Sequence, residues 1–230
     1  MIALLACRVG AEHDALADAL LPRLDGQERA RAARFVFARD RRAFVMAHAL
    51  LRFALAAQGV RWDARITADA HGKPWLDPRD GSLRFSLTHT DGLVAVAVAQ
   101  DHAVGVDAES VARDPDEAAL RALALAAPEI TELDEAADRR QRLLRLWVAK
   151  EAVAKAAGLG LALPIQQVVL AGDPPHIASL PAACGEAANW SLHSTRHGAH
   201  WIGLAAPVTM MRFVMREVDP AALLEASASG

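Results

Sequence analysis

Long apolar runs and a large excess of either charge are missing from this sequence, and cysteines are scarce. No uninterrupted apolar segment approaches the roughly 18 to 20 residues that span a bilayer. Arg52 breaks the longest helical run, which argues against a membrane-embedded protein. Only two cysteines occur, Cys7 and Cys184. They lie far apart, in no metal-like or redox-like spacing, so a disulfide scaffold is not expected and reduced thiols in the cytoplasm are. The opening Met1-Ile2-Ala3-Leu4-Leu5-Ala6-Cys7 faintly suggests a lipoprotein cleavage box but has neither a basic leader nor a full apolar stretch, and reads as a first β-strand. A net charge of -3 and a pI near 6.3 leave no nucleic-acid-coating surface, so any anion site must be local. Walker loop, dinucleotide fingerprint and nucleophile elbow are all missing. What remains is 230 residues, 53% hydrophobic, 23% charged and only 5% aromatic. That is ordinary for a globular protein with a real core, in one generous domain or two small ones.

The periodicity alternates between helix and strand. Helical spacing runs from Glu12 to Leu21, stops at Pro22, and resumes from Gln27 to Phe35 with arginines along one face. A long helix is expected from Asp40 to Gln58, with Phe44, His48, Leu51 and Leu55 on a common face and Gly59 as its stop. The period then changes. Phe85, Leu87 and His89 alternate with polar residues, Asp91-Gly92 is a hairpin turn, and Leu93 to Ala99 is strand-like. Val104 to Glu109 makes a third strand. Helix returns from Pro115 onward and ends in an amphipathic segment from Arg139 to Ala157, stopped by Gly158. Beyond Pro164, Gln167 to Leu170, Trp190 to Thr195 and Trp201 to Ala205 read as strands, the last two around a His197-Gly198 turn. The order strand, long helix, strands occurs twice, which predicts an α+β fold of two similar halves, 1–104 and 105–230, meeting near Gly105.

Asp107 and Glu109 lie two apart on a predicted strand, so their carboxylates share a face. Alone, such a pair is either a solvated strand edge or half of a metal site. Glu151 and Lys155 lie four apart on a predicted helix and read as a surface ion pair, or as charges lining a cleft because Trp147, Val148, Ala152 and Val153 surround them, with Lys150 as a second cation. Three carboxylates from a strand and a helix would suit Mg2+, which keeps waters and shares its shell with substrate phosphates. Gly72-Lys73-Pro74 is a stiff turn presenting one cation. His89 ends a strand, where an imidazole more often caps a loop. Arg29, Arg31, Arg34, Arg39, Arg41 and Arg42 form a charge run that is a solvated helix face or a grip for several phosphates. His193, His197 and His200 span a predicted hairpin and are not expected to converge on zinc.

In order, Gly72-Lys73-Pro74, Phe85-Ser86-Leu87-Thr88-His89, Val104-Gly105-Val106-Asp107-Ala108-Glu109 and Trp147-Val148-Ala149-Lys150-Glu151-Ala152-Val153-Ala154-Lys155 resemble the 4'-phosphopantetheinyl transferases of the surfactin-synthetase-activating (Sfp-like) type. The resemblance runs from about Arg29 to Pro164, including Arg34-Phe35-Val36-Phe37-Ala38-Arg39-Asp40 and Gly158-Leu159-Gly160-Leu161. It implies a cytoplasmic monomer built as a pseudo-dimer of two α/β halves, with coenzyme A and Mg2+ bound in the cleft between them and Mn2+ left open as a substitute. The implied reaction moves the 4'-phosphopantetheine arm of coenzyme A to a serine of an apo acyl or peptidyl carrier protein, giving holo carrier and 3',5'-ADP. No nucleic-acid or membrane partner is implied.

By match to the family motifs, Asp107, Glu109 and Glu151 hold the metal, Glu151 activates the serine, and Lys155 stabilises the departing phosphate. His89 joins the catalytic set. Gly72, Lys73, Pro74, Thr88, His89, Lys155 and one or more of Arg39, Arg42 and Arg52 contact the cofactor. The chain departs from the pattern at Glu28, where some relatives have a phosphate-binding lysine, and at Ala124 and Leu125, where relatives often have two phenylalanines ahead of the position of Glu129. The competing readings are another Mg2+-dependent nucleotide phosphotransferase and a non-catalytic carrier-protein binding module.

Overall fold

A computed structural model describes residues 1–69 and 71–228. The chain is mixed α+β and divides into two compact units. One is Met1–Asp69 with Pro74–Asp101 and Phe213–Gly230; the other is Ala70–Lys73 with His102–Arg212. The C-terminal segment returns to the first unit.

In the first unit, strand β1 (Ile2–Val9) is the apolar opening segment. After a single 3-10 turn come helices α1 (Asp14–Leu20), α2 (Gly26–Ala32) and α3 (Ala38–Ala56). A short ribbon pairs β2 (Ile66–Ala68) with β3 (Pro74–Leu76), and the expected hairpin is β4 (Arg84–Thr90) with β5 (Gly92–Ala99), closed at Gly92 with φ +82. Pro22 stands at the start of a one-turn 3-10 helix after α1, a position where its missing N–H costs nothing. Helix α3 follows its predicted span within two residues, and its predicted apolar face of Phe44, His48, Leu51 and Leu55 is buried.

The second unit holds β6 (Gly105–Ser110), α4 (Glu117–Ala124), α5 (Ala127–Glu135), α6 (Arg139–Ala157), a ribbon of β7 (Val169–Ala171) and β8 (His176–Ser179), and the hairpin of β9 (Ser191–His197) and β10 (His200–Ala206). Its antiparallel sheet is ordered β6-β10-β9. Helix α6 keeps its predicted ends. Asp138 accepts from the Gln141 N–H at one end, and Gly158, in the left-handed region at φ 72, closes the other. His193, His197 and His200 lie on this last hairpin, with His197 and His200 opposite each other across the turn.

After β10 the chain re-enters the first unit as β11 (Phe213–Glu217) and α7 (Pro220–Ala228). β11 pairs parallel to β1 and completes the sheet order β11-β1-β5-β4. Neither element is expected from local pattern.

Each unit buries a cationic side chain against a glutamate. In the first, Arg52 is only 2% exposed. Its Nη2 lies 2.7 Å from Glu28 Oε2 and 3.2 Å from Asp25 Oδ2, and Nη1 donates to the carbonyls of Trp62 and Ala64. Glu28 also accepts from its own helix cap, the Asp25 N–H, and pairs with His48 Nδ1 at 2.7 Å. In the second unit Lys150 and Glu129, both fully buried, meet at 2.7 Å. Lys150 donates to the Ala124 carbonyl, while Glu129 accepts from the N–H groups of Ala126 and Leu170. Every charge is therefore hydrogen-bonded as well as paired, the condition under which buried ions persist. Both thiols are kept protonated. Burial, then Asp219 and Glu217, push Cys7 up to about 12, and burial alone raises Cys184.

Burial raises the Glu28 carboxyl, but His48, Arg52 and the Asp25 N–H outweigh it and bring it down to about 2 from 4.5. A lowered carboxylate stabilises the fold above its unfolded value and loses that contribution as pH falls toward the folded one. Arg52→Met should therefore cost about 3–5 kcal/mol at neutral pH, the penalty for orphaning a buried charge. Glu28→Gln should flatten the loss of wild-type stability between pH 4.5 and about 2. Urea unfolding across that window checks both.

Candidate active site

The second unit brings its carboxylates to a helix by removing side chains between them. Gly105, Asp107 and Glu109 alternate onto one face of β6, and Gly203 of β10 stands opposite Asp107 in register. A Cβ on Gly105 would fall 2.0 Å from the Ala152 carbonyl oxygen of α6, and one on Gly203 would fall 2.8 Å from the Val148 carbonyl oxygen. The two glycines thus let α6 lie against the strands at backbone distance. The face of α6 bearing Glu151 and Lys155 then sits within side-chain reach of Asp107.

Lys155 Nζ lies 2.7 Å from Asp107 Oδ1. The carboxylate of Asp107 is largely buried, with its residue 8% exposed. Glu151, one turn before Lys155, is half-buried. Burial first, then the neighbouring Asp107, raise its carboxyl above the ordinary 4.5, against the opposite pull of Lys155. Glu109 is engaged differently. Its Oε1 accepts from the Ser110 N–H at 2.9 Å and its Oε2 from Arg113 Nη1. Among the described residues no three acidic, histidine or cysteine side chains are gathered closely enough to hold a metal ion. The structure therefore brings Asp107, Glu151 and Lys155 together and shows Glu109 turned to Arg113.

The chemistry of these donors fits the implied Mg2+ in part. Asp107 and Glu151 offer hard carboxylate oxygens, with Asp107 close enough to help raise the Glu151 carboxyl, and a magnesium ion held by one or two carboxylates completes its octahedron with water and substrate phosphate. Of the three carboxylates, Asp107 and Glu151 are the two whose arrangement would suit such an ion.

The other expected residues fall in various places. Gly72, at φ +82, supplies the turn before β3, which Pro74 opens. Lys73 does not end in open solvent: its Nζ donates to the carbonyls of Lys155 at 2.6 Å and Ala156 at 3.4 Å. It thereby neutralises the carbonyl end of α6, where a cation is favoured. Thr88 and His89 lie on β4 of the first unit, the threonine buried and the imidazole exposed. Arg39 is exposed beside Asp40, with its guanidinium over the Phe37 ring, and Arg42 pairs with Asp14 at 2.5 Å. Arg52 is a correction: every nitrogen of its guanidinium is consumed inside the first unit, which leaves none for a nucleotide.

Lys150, expected as a second cation near Glu151, instead runs to Glu129 in the core. Ala124 and Leu125 are core residues as well. Sequence reasoning missed Arg113, whose one signal is its position four residues beyond Glu109.

A raised carboxyl means that the folded chain holds the Glu151 proton more tightly than the unfolded chain does, so ionising it as pH climbs above 4.5 removes stability. Glu151→Gln should be at least as stable as wild type at pH 7, and the advantage should vanish below pH 4.5, where both proteins carry a neutral side chain. Paired urea titrations at the two pH values test this.

Comparison with known proteins places this geometry in a family. A model described as the 4'-phosphopantetheinyl transferase superfamily matches residues 103–205, the stretch from β6 to β10 that carries all four charges. The chain is 31% identical over 175 residues to the 4'-phosphopantetheinyl transferase HetI of Nostoc sp. (strain PCC 7120), an alignment covering 74% of this chain and 72% of that protein. It is 28% identical over 176 residues to slr0495 of Synechocystis sp. (strain PCC 6803), covering 74% and 71%. Among solved structures, the holo-(acyl-carrier-protein) synthase of Thermotoga maritima aligns with a TM-score of 0.38 and 20% identity, over 47% of this chain and 64% of that one. Identity at the level of HetI over most of both lengths shows that the chain belongs to the 4'-phosphopantetheinyl transferase superfamily.

Proposed function

We propose that this chain transfers the 4'-phosphopantetheine arm of coenzyme A to a serine hydroxyl of an apo carrier protein and releases 3',5'-ADP. The observation that carries the reading is the Lys155–Asp107 pair at 2.7 Å with Glu151 one helical turn away, in a chain of this superfamily. The two units also support a pseudo-dimer plan, since each lays a 19-residue helix on a sheet containing an antiparallel hairpin.

In-line phosphoryl transfer from a pyrophosphate to a serine hydroxyl asks for three things: a proton acceptor near the nucleophile, cationic charge at the leaving oxygen, and exclusion of competing water. Glu151 suits the first. Burial raises its proton affinity, which makes it a better base than a surface glutamate. It takes the serine proton as the hydroxyl oxygen bonds to the pantetheine-side phosphorus, and the bond from that phosphorus to the bridging oxygen breaks. Lys155, on the same helix face, offers its ammonium to the negative charge that gathers on the departing 3',5'-ADP. Bound Mg2+ would add charge neutralisation at the pyrophosphate, held by Asp107 and Glu151, with Glu109 as a further carboxylate. Lys73 keeps the last turn of α6 from fraying by binding the Lys155 carbonyl, and so steadies the backbone that carries Lys155.

The test is intact-mass measurement of an apo carrier incubated with this protein, coenzyme A and Mg2+, across fatty-acid, polyketide and peptide carriers. One phosphopantetheine arm should be added to at least one of them. Asp107→Ala and Glu151→Ala should each slow the transfer by at least about 100-fold, the usual contribution of a positioned acid–base group, with circular dichroism unchanged. No gain on any carrier beside an active control enzyme overturns the proposal, and full activity in either variant overturns the residue assignment. Metal-independent carrier binding without mass gain would favour a non-catalytic binding module.

A further inference from the structure

Arg113 is a cation paired with one of these carboxylates, Glu109, that the proposed chemistry leaves without a task. We infer that it is the resident counter-ion of Glu109 and competes with a divalent cation for that carboxylate, so that loading the site exchanges a guanidinium for a metal ion. The inference rests on the reading of Asp107 and Glu151 as a metal-binding pair.

Four observations carry it. The Glu109 side chain is only 11% exposed, and a carboxylate so buried needs a partner whenever no metal is present. Both its oxygens are occupied in this structure, one by the Ser110 N–H and one by Arg113. Arg113 approaches from a turn beyond the end of β6, its N–H bonded to the Ser110 carbonyl at 3.1 Å. Its side chain is 50% exposed, so half of it already faces water and it can leave without being stranded in the core. Finally, with Glu109 so engaged, no three candidate ligands are gathered among the described residues, although Asp107 and Glu151 feel each other's charge.

The two chain cations then differ in kind. Lys155 is mounted on a helix buried along most of its length and stays beside the site whatever Asp107 does. Arg113 is mounted on an exposed turn and can swing clear. Its pairing neutralises Glu109 in the metal-free site as Lys155 neutralises Asp107, and it sets a cost that any cation must meet before Glu109 can join.

Binding of Mn2+ to the metal-free full chain, followed by loss of the free-ion electron paramagnetic resonance signal, tests the exchange without reference to activity. Arg113→Gln should tighten Mn2+ binding by about twofold to fivefold, the worth of a partly exposed ion pair, and Glu109→Gln should weaken it. In the Glu109→Gln background the Arg113→Gln change should have no further effect. That non-additivity separates exchange from a general loss of positive charge. An unchanged affinity in Arg113→Gln overturns the inference, as does equal tightening in both backgrounds. As a measurement on the unaltered protein, the Arg113 Nε–H resonance should shift on saturation with Mg2+, and a resonance that stays fixed also overturns it. Failure of wild type to bind Mn2+ at all would instead remove the metal reading of Asp107 and Glu151, and the inference with it.

Discussion

The backbone of Gly105 lies so close to α6 that a Cβ there would stand 2.0 Å from the Ala152 carbonyl oxygen and 2.4 Å from the Ala156 nitrogen. Helix and sheet ordinarily keep a layer of side chains between them; here that layer is missing along one line. Two residues farther along β6, Asp107 meets Lys155, and the turn of α6 that carries Glu151 comes with it. Gly203 makes the same allowance one strand over. A larger residue at either position would have to push the helix outward, and packed interiors accommodate even one added methyl poorly. The carboxylates owe their mutual reach to these two absent side chains.

Charge is then distributed by helix face. α6 sends Lys150 to Glu129 in the core and Lys155 to Asp107 at the site, while Glu151 carries a carboxyl whose proton affinity burial has raised. The core pair ties the cap of α5 and strand β7 to α6, so the helix carrying the chemistry is anchored by a bond that cannot slide without orphaning a buried ion. In the first unit Arg52 and Glu28 do the same for α3 and the cap of α2. Lysine and arginine in the middle of apolar helical sequence thus have opposite fates from those at its edge, and only the packing tells them apart.

The sequence made the long elements legible because each carries both a period and a stop. α6 has its apolar spacing, an Asp138 cap and Gly158; β4 and β5 have alternation around Asp91-Gly92. Asp107, Glu151 and Lys155 were readable as a set only through the family motif, since a two-residue or four-residue spacing fixes a face and says nothing of what that face meets. β11 escaped because it is a parallel edge strand whose pairing with β1 spans nearly the whole chain, and no local pattern records such a partner. Arg52 was misjudged for a related reason: its fate depends on Glu28, 24 residues upstream, whose replacement of an expected lysine was visible without its consequence.

The most direct measurement is the phosphopantetheine transfer rate of Gly105→Ala, taken with its circular dichroism at a temperature where the variant is fully folded. If close backbone approach builds the site, the added methyl displaces α6 from β6, and transfer falls by more than about tenfold, a little over 1.4 kcal/mol of lost transition-state stabilisation, while the spectrum stays native. A folded Gly105→Ala protein transferring at the wild-type rate would contradict the account.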